Sequence, residues 1–427
     1  MTTSDRSHHG VGAPVRLEAT GGAPAILGGT PMFPQGMPLA RPTIADPAAL
    51  AREIERIVTS EVLTNGPTVR RLEERSAEYL GVRHCVAVAS CTTGLMLALR
   101  ASEISGDVIV PSFTFAATAH AVAWNGLRPV FADVDPRTLT LSPAAAERSI
   151  GVRVSAILAT HLYGAPADVD GLADVAGRNG ISLFFDAAHG FGARRDGRMV
   201  GGFGGAEVFS MTPTKTLIAG EGGIIATNDD LLAERCRIGR NYGNPGDYDC
   251  RFIGLNARMS ELHAALALAS FEDLEERIVR RNELATRYRD VLAEVPGIGF
   301  PLVREQDRST YKDLTILVDE AEFGISADEL AEALSAEGVE TRRYYSPAVH
   351  RMRAYRGLAA GVSLPVTDAA ARAALSLPLA TDMTGAQIEQ LGDGIRRIGE
   401  QLGQKKSHDG AHERYDGQAI PLGTEAP

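Results

Sequence analysis

The sequence predicts an α/β fold, with a mostly parallel central sheet flanked by helices and followed by a smaller α+β C-terminal domain. From His84 onward, short and almost continuously apolar segments alternate with helical patterns. Such segments are typical of parallel strands that are covered on both faces, and ligands bind these sheets at the carboxyl ends of the strands. The predicted strands include residues 85–88, 108–110, 129–131, 156–158, 183–185, 206–210 and 223–227.

Two helices are predicted before the first strand. Asp46 and Pro47 give a capping side chain followed by a proline at the first helical position, and this helix should run to about Ser60. The second helix comes after the segment Thr64-Asn65-Gly66-Pro67 and ends at Gly81, because glycine readily adopts the left-handed conformation that ends a helix.

The C-terminal half predicts a change of architecture. A long helical pattern from about residue 259 to 292 should connect the large domain to a second, smaller one. The next predicted elements are a strand at 314–318, a helix at 326–336, a strand at 340–344 and a closing helix near 384–402. We therefore divide the chain into a disordered leader (1–25), a large domain (26–300), a small domain (301–403) and a disordered polar tail (404–427).

The composition excludes several classes of protein. A chain of 427 residues with 44% hydrophobic and 23% charged residues is typical of a globular protein, and its net charge of −11 argues against nucleic-acid binding. We find neither a signal peptide nor a segment with the apolar length of a membrane span, so we expect a cytoplasmic protein that binds no membrane. Metal-ligand spacing is lacking among the four cysteines, so we expect no metal site at Cys85, Cys91, Cys236 or Cys250.

Lys215 and Asp186 together predict a chemical site. Lys215 lies between a short apolar strand and a glycine cluster, where apolar surroundings lower the pKa of a lysine and leave an amine that can attack an aldehyde. Asp186 ends the preceding strand and can hold a pyridine nitrogen in its protonated form. These are the two groups that a pyridoxal phosphate enzyme requires. Taken singly, each residue has a plainer interpretation: Lys215 as a solvated lysine, and Asp186 as a turn or capping residue.

A candidate phosphate site comes directly after the first strand. The segment Ser90-Cys91-Thr92-Thr93-Gly94 opens a helix, and its backbone amides and hydroxyl groups suit a bound phosphate. An ordinary helix N-cap has the same composition, so this segment alone leaves both interpretations open.

The ordered set of motifs resembles the DegT/StrS family of nucleotide-sugar aminotransferases, which are fold type I pyridoxal phosphate enzymes. The resemblance runs from about Leu27 to Leu402. Its motifs are Thr64-Asn65-Gly66-Pro67, Ser90-Cys91-Thr92-Thr93-Gly94, Pro111-Ser112-Phe113-Thr114-Phe115, His161-Leu162-Tyr163-Gly164, Asp186-Ala187-Ala188-His189, Gly220-Glu221-Gly222-Gly223, Arg240-Asn241-Tyr242-Gly243 and Asn256-Ala257-Arg258-Met259-Ser260-Glu261.

The resemblance implies four roles around the cofactor ring. Lys215 should form the Schiff base with pyridoxal 5'-phosphate and later move a proton between the cofactor and the sugar. Asp186 should pair with the pyridinium, Phe115 should stack on the ring, and His189 should lie beside the ring oxygen. Lys215, Asp186 and His189 are thus the predicted catalytic residues.

The resemblance also implies how the phosphate is held. Thr92, Thr93 and Ser210 should bind it within the subunit, and Asn256 should reach the phosphate of the neighbouring subunit. The active enzyme is then expected to be a homodimer with shared sites. A helix N-cap is the alternative for Asn256. Relatives usually carry glycine where this chain has Cys91, and we expect the thiol to face inward without a redox role.

The substrate is expected to be a nucleotide-sugar, with L-glutamate as the amino donor. The chain looks most like antibiotic-pathway enzymes that aminate C4 of a TDP-4-keto-6-deoxyglucose. C3 amination of a keto-sugar nucleotide, amination of an inosose, or a regulatory protein on the same fold are the alternatives. A sugar dehydratase of this family would carry histidine at the lysine position, and Lys215 argues against that alternative. The expected substrate contacts, which could instead be surface and core residues, are Arg240, Tyr242, Tyr344, Tyr345 and His350.

Overall fold

The computed structural model describes residues 22–409, so residues 1–21 of the predicted leader and 410–427 of the predicted tail lie outside the described residues. The strands are β1 (His84–Val88), β2 (Asp107–Pro111), β3 (Arg128–Ala132), β4 (Val154–Thr160), β5 (Ser182–Asp186), β6 (Arg194–Arg195), β7 (Arg198–Met199), β8 (Ala206–Ser210), β9 (Gly223–Thr227), β10 (Ile298–Gly299), β11 (Leu314–Val318) and β12 (Ala374–Leu377). The α-helices are α1 (Pro47–Thr59), α2 (Pro67–Leu80), α3 (Cys91–Ala101), α4 (Ala116–Trp124), α5 (Pro143–Arg148), α6 (Val169–Asn179), α7 (Asp230–Gly239), α8 (Glu261–Phe271), α9 (Leu274–Leu292), α10 (Glu320–Phe323), α11 (Ala327–Ala336), α12 (Pro365–Ala373) and α13 (Gly385–Asp409).

Within the described residues, seven strands form the central sheet in the order β1-β9-β8-β5-β4-β2-β3. β9 runs antiparallel to both of its neighbours, β1 and β8. The pairs β2 with β3, β2 with β4, β4 with β5 and β5 with β8 are parallel. The predicted mostly parallel sheet is therefore confirmed, with all seven predicted strands in it.

Helices cover both faces of this sheet, as the alternation of side chains in β1 shows. Cys85 and Ala87 pack into a buried cluster with α2 and α8. Val86 and Val88 point to the opposite face and pack into a cluster with α3, α4 and α7. Because both faces are buried, the strands lack the polar residues that one solvated face would require.

The start of α2 depends on a carboxylate from a distant helix. Glu261, the first residue of α8, is buried and accepts hydrogen bonds from the backbone amides of Gly66 (2.9 Å), Thr68 (2.8 Å) and Val69 (3.0 Å). These amides have no partner within their own helix, and a negative charge is favourable at a helix N-terminus. Two motifs that are far apart in the sequence, at 64–67 and 256–261, thus form one contact.

A second core lies at the C-terminal end of the chain. β10, β11 and β12 form an antiparallel three-stranded sheet, which packs with α9, α11 and α13. Met32 and Met37 from the N-terminal segment are buried in the same core. Glu337 accepts hydrogen bonds from the amides of Ala25 and Met32, both at 2.8 Å. The expected division therefore differs from the packing, because residues 25–37 contact the small domain.

The single helix expected at about 259–292 is wrong, because the structure has two helices, α8 and α9. The break comes at Asp273, whose backbone is not helical (φ −114°, ψ 17°). Leu274 and Ile278 of α9 pack into the same cluster as α8. The apolar pattern therefore continues across the break, which is why the sequence suggested one helix.

The strand expected at 340–344 is also wrong. Arg342 forms only an isolated bridge with Ser376 among the described residues, and β12, which the sequence did not indicate, completes the small sheet. Tyr345, adjacent to this segment, packs instead in an aromatic cluster with Phe113 and Tyr163.

The closing helix is longer than expected, since α13 continues to Asp409. Lys406, which belongs to the segment expected to be disordered, has its Nζ 2.7 Å from the Glu329 carboxylate.

Within residues 22–409, no helix combines the length and the apolar character needed to cross a membrane.

We predict that Glu261→Ala lowers the free energy of unfolding by about 3 kcal/mol, since it leaves three helix-terminal amides unpaired and removes a favourable charge. Urea denaturation measures the change. Glu272→Ala is the matched control, because Glu272 lies at the other end of α8 and is exposed in its ion pair with Arg75. That control should change stability by less than about 0.5 kcal/mol. Equal losses for the two variants would contradict the role assigned to Glu261.

Candidate active site

The candidate site lies at the carboxyl ends of β5 and β8, which are neighbours in the sheet. Asp186 is the last residue of β5, and Lys215 lies in the loop after β8. Hydrogen bonds from Met211 N to Gly222 O (3.0 Å) and from Ala219 N to Met211 O (2.7 Å) close this loop. The site is therefore at the sheet edge that the sequence predicted.

The surroundings of Lys215 favour nucleophilic attack by raising the neutral fraction of its amine. Burial lowers the pKa of its amine to about 8, and the positive charge of Lys312 acts in the same direction, whereas Asp313, Cys91 and Asp186 oppose the shift. A pKa near 8 raises the neutral fraction at pH 7 by roughly two orders of magnitude over an exposed lysine.

The Asp186 carboxylate is buried and oriented by two donors. Thr118 Oγ1 donates to Oδ2 (2.7 Å), and the Ala188 amide donates to Oδ1 (3.1 Å). Burial raises the pKa of Asp186, and these two hydrogen bonds lower it. The Thr118 hydroxyl is itself held by Thr114 (2.9 Å), which contacts Thr160 (3.1 Å). This buried row of hydroxyl groups keeps the carboxylate directed into the site.

The residues present fit pyridoxal phosphate. A buried carboxylate whose pKa is raised by burial gains from a cation beside it, and a pyridinium is such a cation. The hydroxyls of Thr92 and Ser210 have no hydrogen-bond partner among the described residues, so both are available to a phosphate. Phe115, directly before α4, leaves 61% of its surface exposed, so its ring is accessible for stacking.

Thr93 forms a capping box with Ser90 at the start of α3. The Thr93 amide donates to Ser90 Oγ (3.2 Å), and the Ser90 amide donates to Thr93 Oγ1 (3.1 Å). Its hydroxyl also donates to the Ser90 carbonyl (2.9 Å), and its predicted contact with a phosphate stays a prediction. The helix-cap interpretation of the segment holds for Thr93, whereas the Thr92 hydroxyl has no partner within residues 22–409.

Cys91 faces inward, as expected from the sequence. Its Sγ lies 3.4 Å from the Val208 carbonyl and 3.9 Å from Asp186 Oδ1. Burial raises the pKa of the thiol well above its usual value, so the thiolate is disfavoured and the side chain is unreactive.

His189 is neutral and lies next to the two lysines. Burial lowers its pKa well below the usual value, and the charges of Lys215 and Lys312 lower it further. Its Nδ1 is 3.9 Å from Asp313 Oδ2. The predicted contact of His189 with the cofactor ring stays a prediction.

Two of the predicted substrate contacts are buried among protein groups. Arg240 pairs with Glu73 and donates to the Ala87 carbonyl (2.7 Å). His350 has Nδ1 2.6 Å from Ser112 Oγ and Nε2 3.2 Å from Asp368. Contact of either side chain with the substrate stays a prediction.

The two tyrosines of the small domain lie close to the site. The Tyr344 ring faces Lys312 Nζ at 5.1 Å, and its carbonyl accepts a hydrogen bond from the Tyr163 hydroxyl. Tyr345 stacks on Tyr163 with ring centroids 6.3 Å apart and comes within 6.4 Å of Phe115.

Tyr242 and Asn256 lie on the surface of the subunit. Half of Tyr242 is exposed, with the Arg258 guanidinium 5.5 Å from its ring centroid. Asn256 is exposed and accepts a hydrogen bond from Arg258 (3.2 Å). Ser260 caps α8, so the alternative role of Asn256 as a helix N-cap is wrong.

A family model described as the DegT/DnrJ/EryC1/StrS aminotransferase family matches residues 46–396. The chain belongs to this family. Over 355 residues it is 36% identical to dTDP-3-amino-3,4,6-trideoxy-alpha-D-glucose transaminase from Streptomyces venezuelae, a match that covers 82% of this chain and 92% of the relative. Over 353 residues it is 32% identical to dTDP-4-amino-4,6-dideoxy-D-glucose transaminase from Escherichia coli, covering 81% and 94%.

Solved structures give the same assignment. The crystal structure of DesI in the presence of its TDP-sugar product superimposes with a TM-score of 0.86 and 39% identity, covering 90% of this chain and 99% of that one. The chain is therefore a sugar aminotransferase with the fold of the pyridoxal phosphate-dependent aminotransferases.

Three residues of this aminotransferase site were not predicted from the sequence: Thr118, Lys312 and Asp313. Lys312 and Asp313 are adjacent charges at the start of a predicted apolar strand, and both are buried. Charged residues in such a position are costly unless they pair or act chemically. The energetic cost of burying these two charges was the sequence signal that could have identified Lys312 and Asp313 as site residues. Thr118 gave none, because a threonine within a helix is common.

We predict that Thr118→Val weakens pyridoxal phosphate binding at least about tenfold, because a hydrogen bond to a charged group contributes roughly 1.5–3 kcal/mol. Valine keeps the shape of threonine and removes only the donor to Asp186. Fluorescence titration of the cofactor-free chain gives the dissociation constant. Thr286→Val is the control, since that exposed hydroxyl bonds to the Asn282 carbonyl of its own helix. Equal affinities in the two variants would refute the role of Thr118.

Proposed function

We propose that this aminotransferase uses pyridoxal phosphate to move the amino group of L-glutamate to a TDP-keto-deoxysugar, in the biosynthesis of a secondary-metabolite deoxyaminosugar. The position proposed is C4 of TDP-4-keto-6-deoxyglucose. The observation that carries the proposal is the Lys215 amine, with its lowered pKa, in the same site as the buried Asp186 carboxylate. The names of the relatives support a TDP-sugar as substrate.

Each residue of the site has one proposed task. When bound, pyridoxal phosphate supplies an aldehyde that accepts the amino group and a ring that withdraws electrons. Asp186 holds the proton on the ring nitrogen, and Phe115 covers one face of the ring. Thr92, Ser210 and the exposed amides of α3 bind the phosphate. His189 lies beside the ring oxygen.

Lys215 is the proposed acid and base of both half-reactions. A pKa of about 8 lies close to neutral pH, where a group both accepts and returns a proton efficiently. Because amino donors displace this lysine from the cofactor, the same amine is free to move the proton in each half-reaction. Tyr344 and Tyr345, at the edge of the site, are the proposed contacts to the sugar.

We propose a cytoplasmic homodimer in which Asn256 reaches the phosphate of the partner site. The surface also carries an apolar patch, defined by exposed residues of α1, of the loop after it and of α8. Leu63 and Leu262 are neighbours there, since the Leu63 carbonyl accepts a hydrogen bond from the Glu261 amide (2.9 Å). The patch consists of Ile54, Val58, Val62, Leu63 and Leu262. A second copy of the chain would bury it.

The four unpaired cysteines suit a reducing compartment, which supports the proposed cytoplasmic location.

Lys215→Ala should abolish both the visible absorbance of lysine-bound pyridoxal phosphate and amino transfer. Lys406→Ala, a change of an exposed lysine on α13, should leave both unchanged. If wild-type protein saturated with pyridoxal phosphate develops no such absorbance, the proposed function is wrong.

The position of amination is tested with glutamate and a panel of TDP-3-keto and TDP-4-keto sugars, followed by NMR of the products. We expect the new amine at C4. An amine at C3 would assign the enzyme to the chemistry in the name of its Streptomyces venezuelae relative.

Shared sites are tested by mixing Lys215→Ala and Asn256→Ala subunits. If Asn256 acts across the interface, half of the dimers are mixed, and each of these regains one complete site. Activity should then recover to about a quarter of the wild-type value. If Asn256 acts within its own subunit, mixing restores nothing.

A further inference from the structure

The imidazole of His189 and the carboxylate of Asp313 face each other in the interior of the subunit. His189 Nδ1 lies 3.9 Å from Asp313 Oδ2, and both side chains are buried. Within residues 22–409, neither of these two atoms has a hydrogen-bond partner. Buried polar atoms are almost always paired, so two unpaired atoms that face each other indicate that they act on each other.

The Asp313 carboxylate is oriented by its neighbour Lys312. The buried Lys312 ammonium has its Nζ 2.7 Å from Asp313 Oδ1. An ammonium group has only donors, so Oδ1 serves as its acceptor. Oδ2 is therefore the carboxylate oxygen that is left to face His189.

The main chain that carries the histidine is also held in place. The Gly190 amide donates to the Ala187 carbonyl (2.8 Å), which closes a turn directly after β5 with His189 inside it. Thr310 Oγ1 donates to the His189 carbonyl (2.7 Å) and joins this turn to the segment before β11. The imidazole and the carboxylate thus belong to two segments that are hydrogen-bonded to each other.

The carboxylate makes the two neutral forms of the imidazole unequal. His189 is neutral, since burial lowers its pKa well below the usual value, and a neutral imidazole has one N–H and one lone pair. With the proton on Nε2, the lone pair of Nδ1 would face a carboxylate oxygen, and two acceptors repel each other. With the proton on Nδ1, an N–H group points at a negative oxygen, which is favourable in a site of low dielectric constant.

We propose that Asp313 is a positioning residue that keeps the proton of His189 on Nδ1 and leaves Nε2 as a hydrogen-bond acceptor. The partner of one imidazole nitrogen commonly sets the protonation of the other in this way. The consequence rests on the proposed function, in which His189 lies beside the ring oxygen of the cofactor. A hydrogen bond between Nε2 and that oxygen then requires the proton to be on the oxygen.

Solid-state NMR of the full-length chain labelled with ¹³C,¹⁵N-histidine tests the proposal, because protonated and unprotonated ring nitrogens have well-separated chemical shifts. The chain has ten histidines, and the signals of His189 are those that are missing from the His189→Gln spectrum. In cofactor-free protein, the form with the proton on Nδ1 should be in at least about tenfold excess. A predominant proton on Nε2 would overturn the proposal.

Asp313→Asn should reverse this preference. The Lys312 ammonium can bond only to the oxygen of the amide, so the NH2 group takes the place of Oδ2 and donates towards His189. Nδ1 must then be the acceptor, and the form with the proton on Nε2 should predominate by about tenfold or more. Asp319→Asn is the matched control, because Asp319 lies just past the other end of β11 and accepts a hydrogen bond from the Ala321 amide (3.0 Å). The control should keep the wild-type ratio.

A wild-type ratio in Asp313→Asn would contradict the role of Asp313. If that variant does not fold, the wild-type spectrum decides, since it identifies the protonated nitrogen by itself. Adding pyridoxal phosphate to the wild type should shift the Nε2 signal and leave the proton on Nδ1. An unchanged Nε2 signal in protein whose visible absorbance shows bound cofactor would overturn the consequence for the ring oxygen. Lack of that absorbance refutes the proposed function instead, and the cofactor-free spectrum is independent of it.

Discussion

The site depends on a lysine amine, that of Lys215, in surroundings that disfavour its charged form. Taking an ammonium out of water is costly, so the buried side chain is pushed towards its neutral form. The fold maintains this situation by placing Lys215 at the carboxyl edge of a sheet whose two faces are both covered. Asp186, at the end of β5, is also buried, but hydrogen-bond donors stabilise its charged carboxylate form.

The sheet and its edge were predictable from the sequence because they depend on local patterns. Short, almost continuously apolar segments indicated the strands of the large sheet, and Asp46 followed by Pro47 indicated the first helix. The positions of Asp186 at a strand end and of Lys215 in the loop after the next long strand were predictable because they follow from the strand pattern. These features are encoded in neighbouring residues.

Features that depend on contacts between distant residues were not predictable. Arg240 was expected among the substrate contacts, and the sequence did not indicate its burial against Glu73, which lies 167 positions earlier in the chain. Thr93 looked like a phosphate ligand, yet its hydroxyl caps the helix that carries it. In each case the sequence identifies the side chain but not the residue with which its polar group forms a hydrogen bond.

The N-terminal segment and the small domain depend on each other over a long stretch of chain. The hydrogen bond from Ala25 to Glu337 joins residues 312 positions apart, and Met32 is buried beside α13. During synthesis, residues 22–40 can therefore pack against the small domain only after almost the entire polypeptide has left the ribosome. Contacts of such high sequence separation form late. Until then, these apolar residues are available to chaperones.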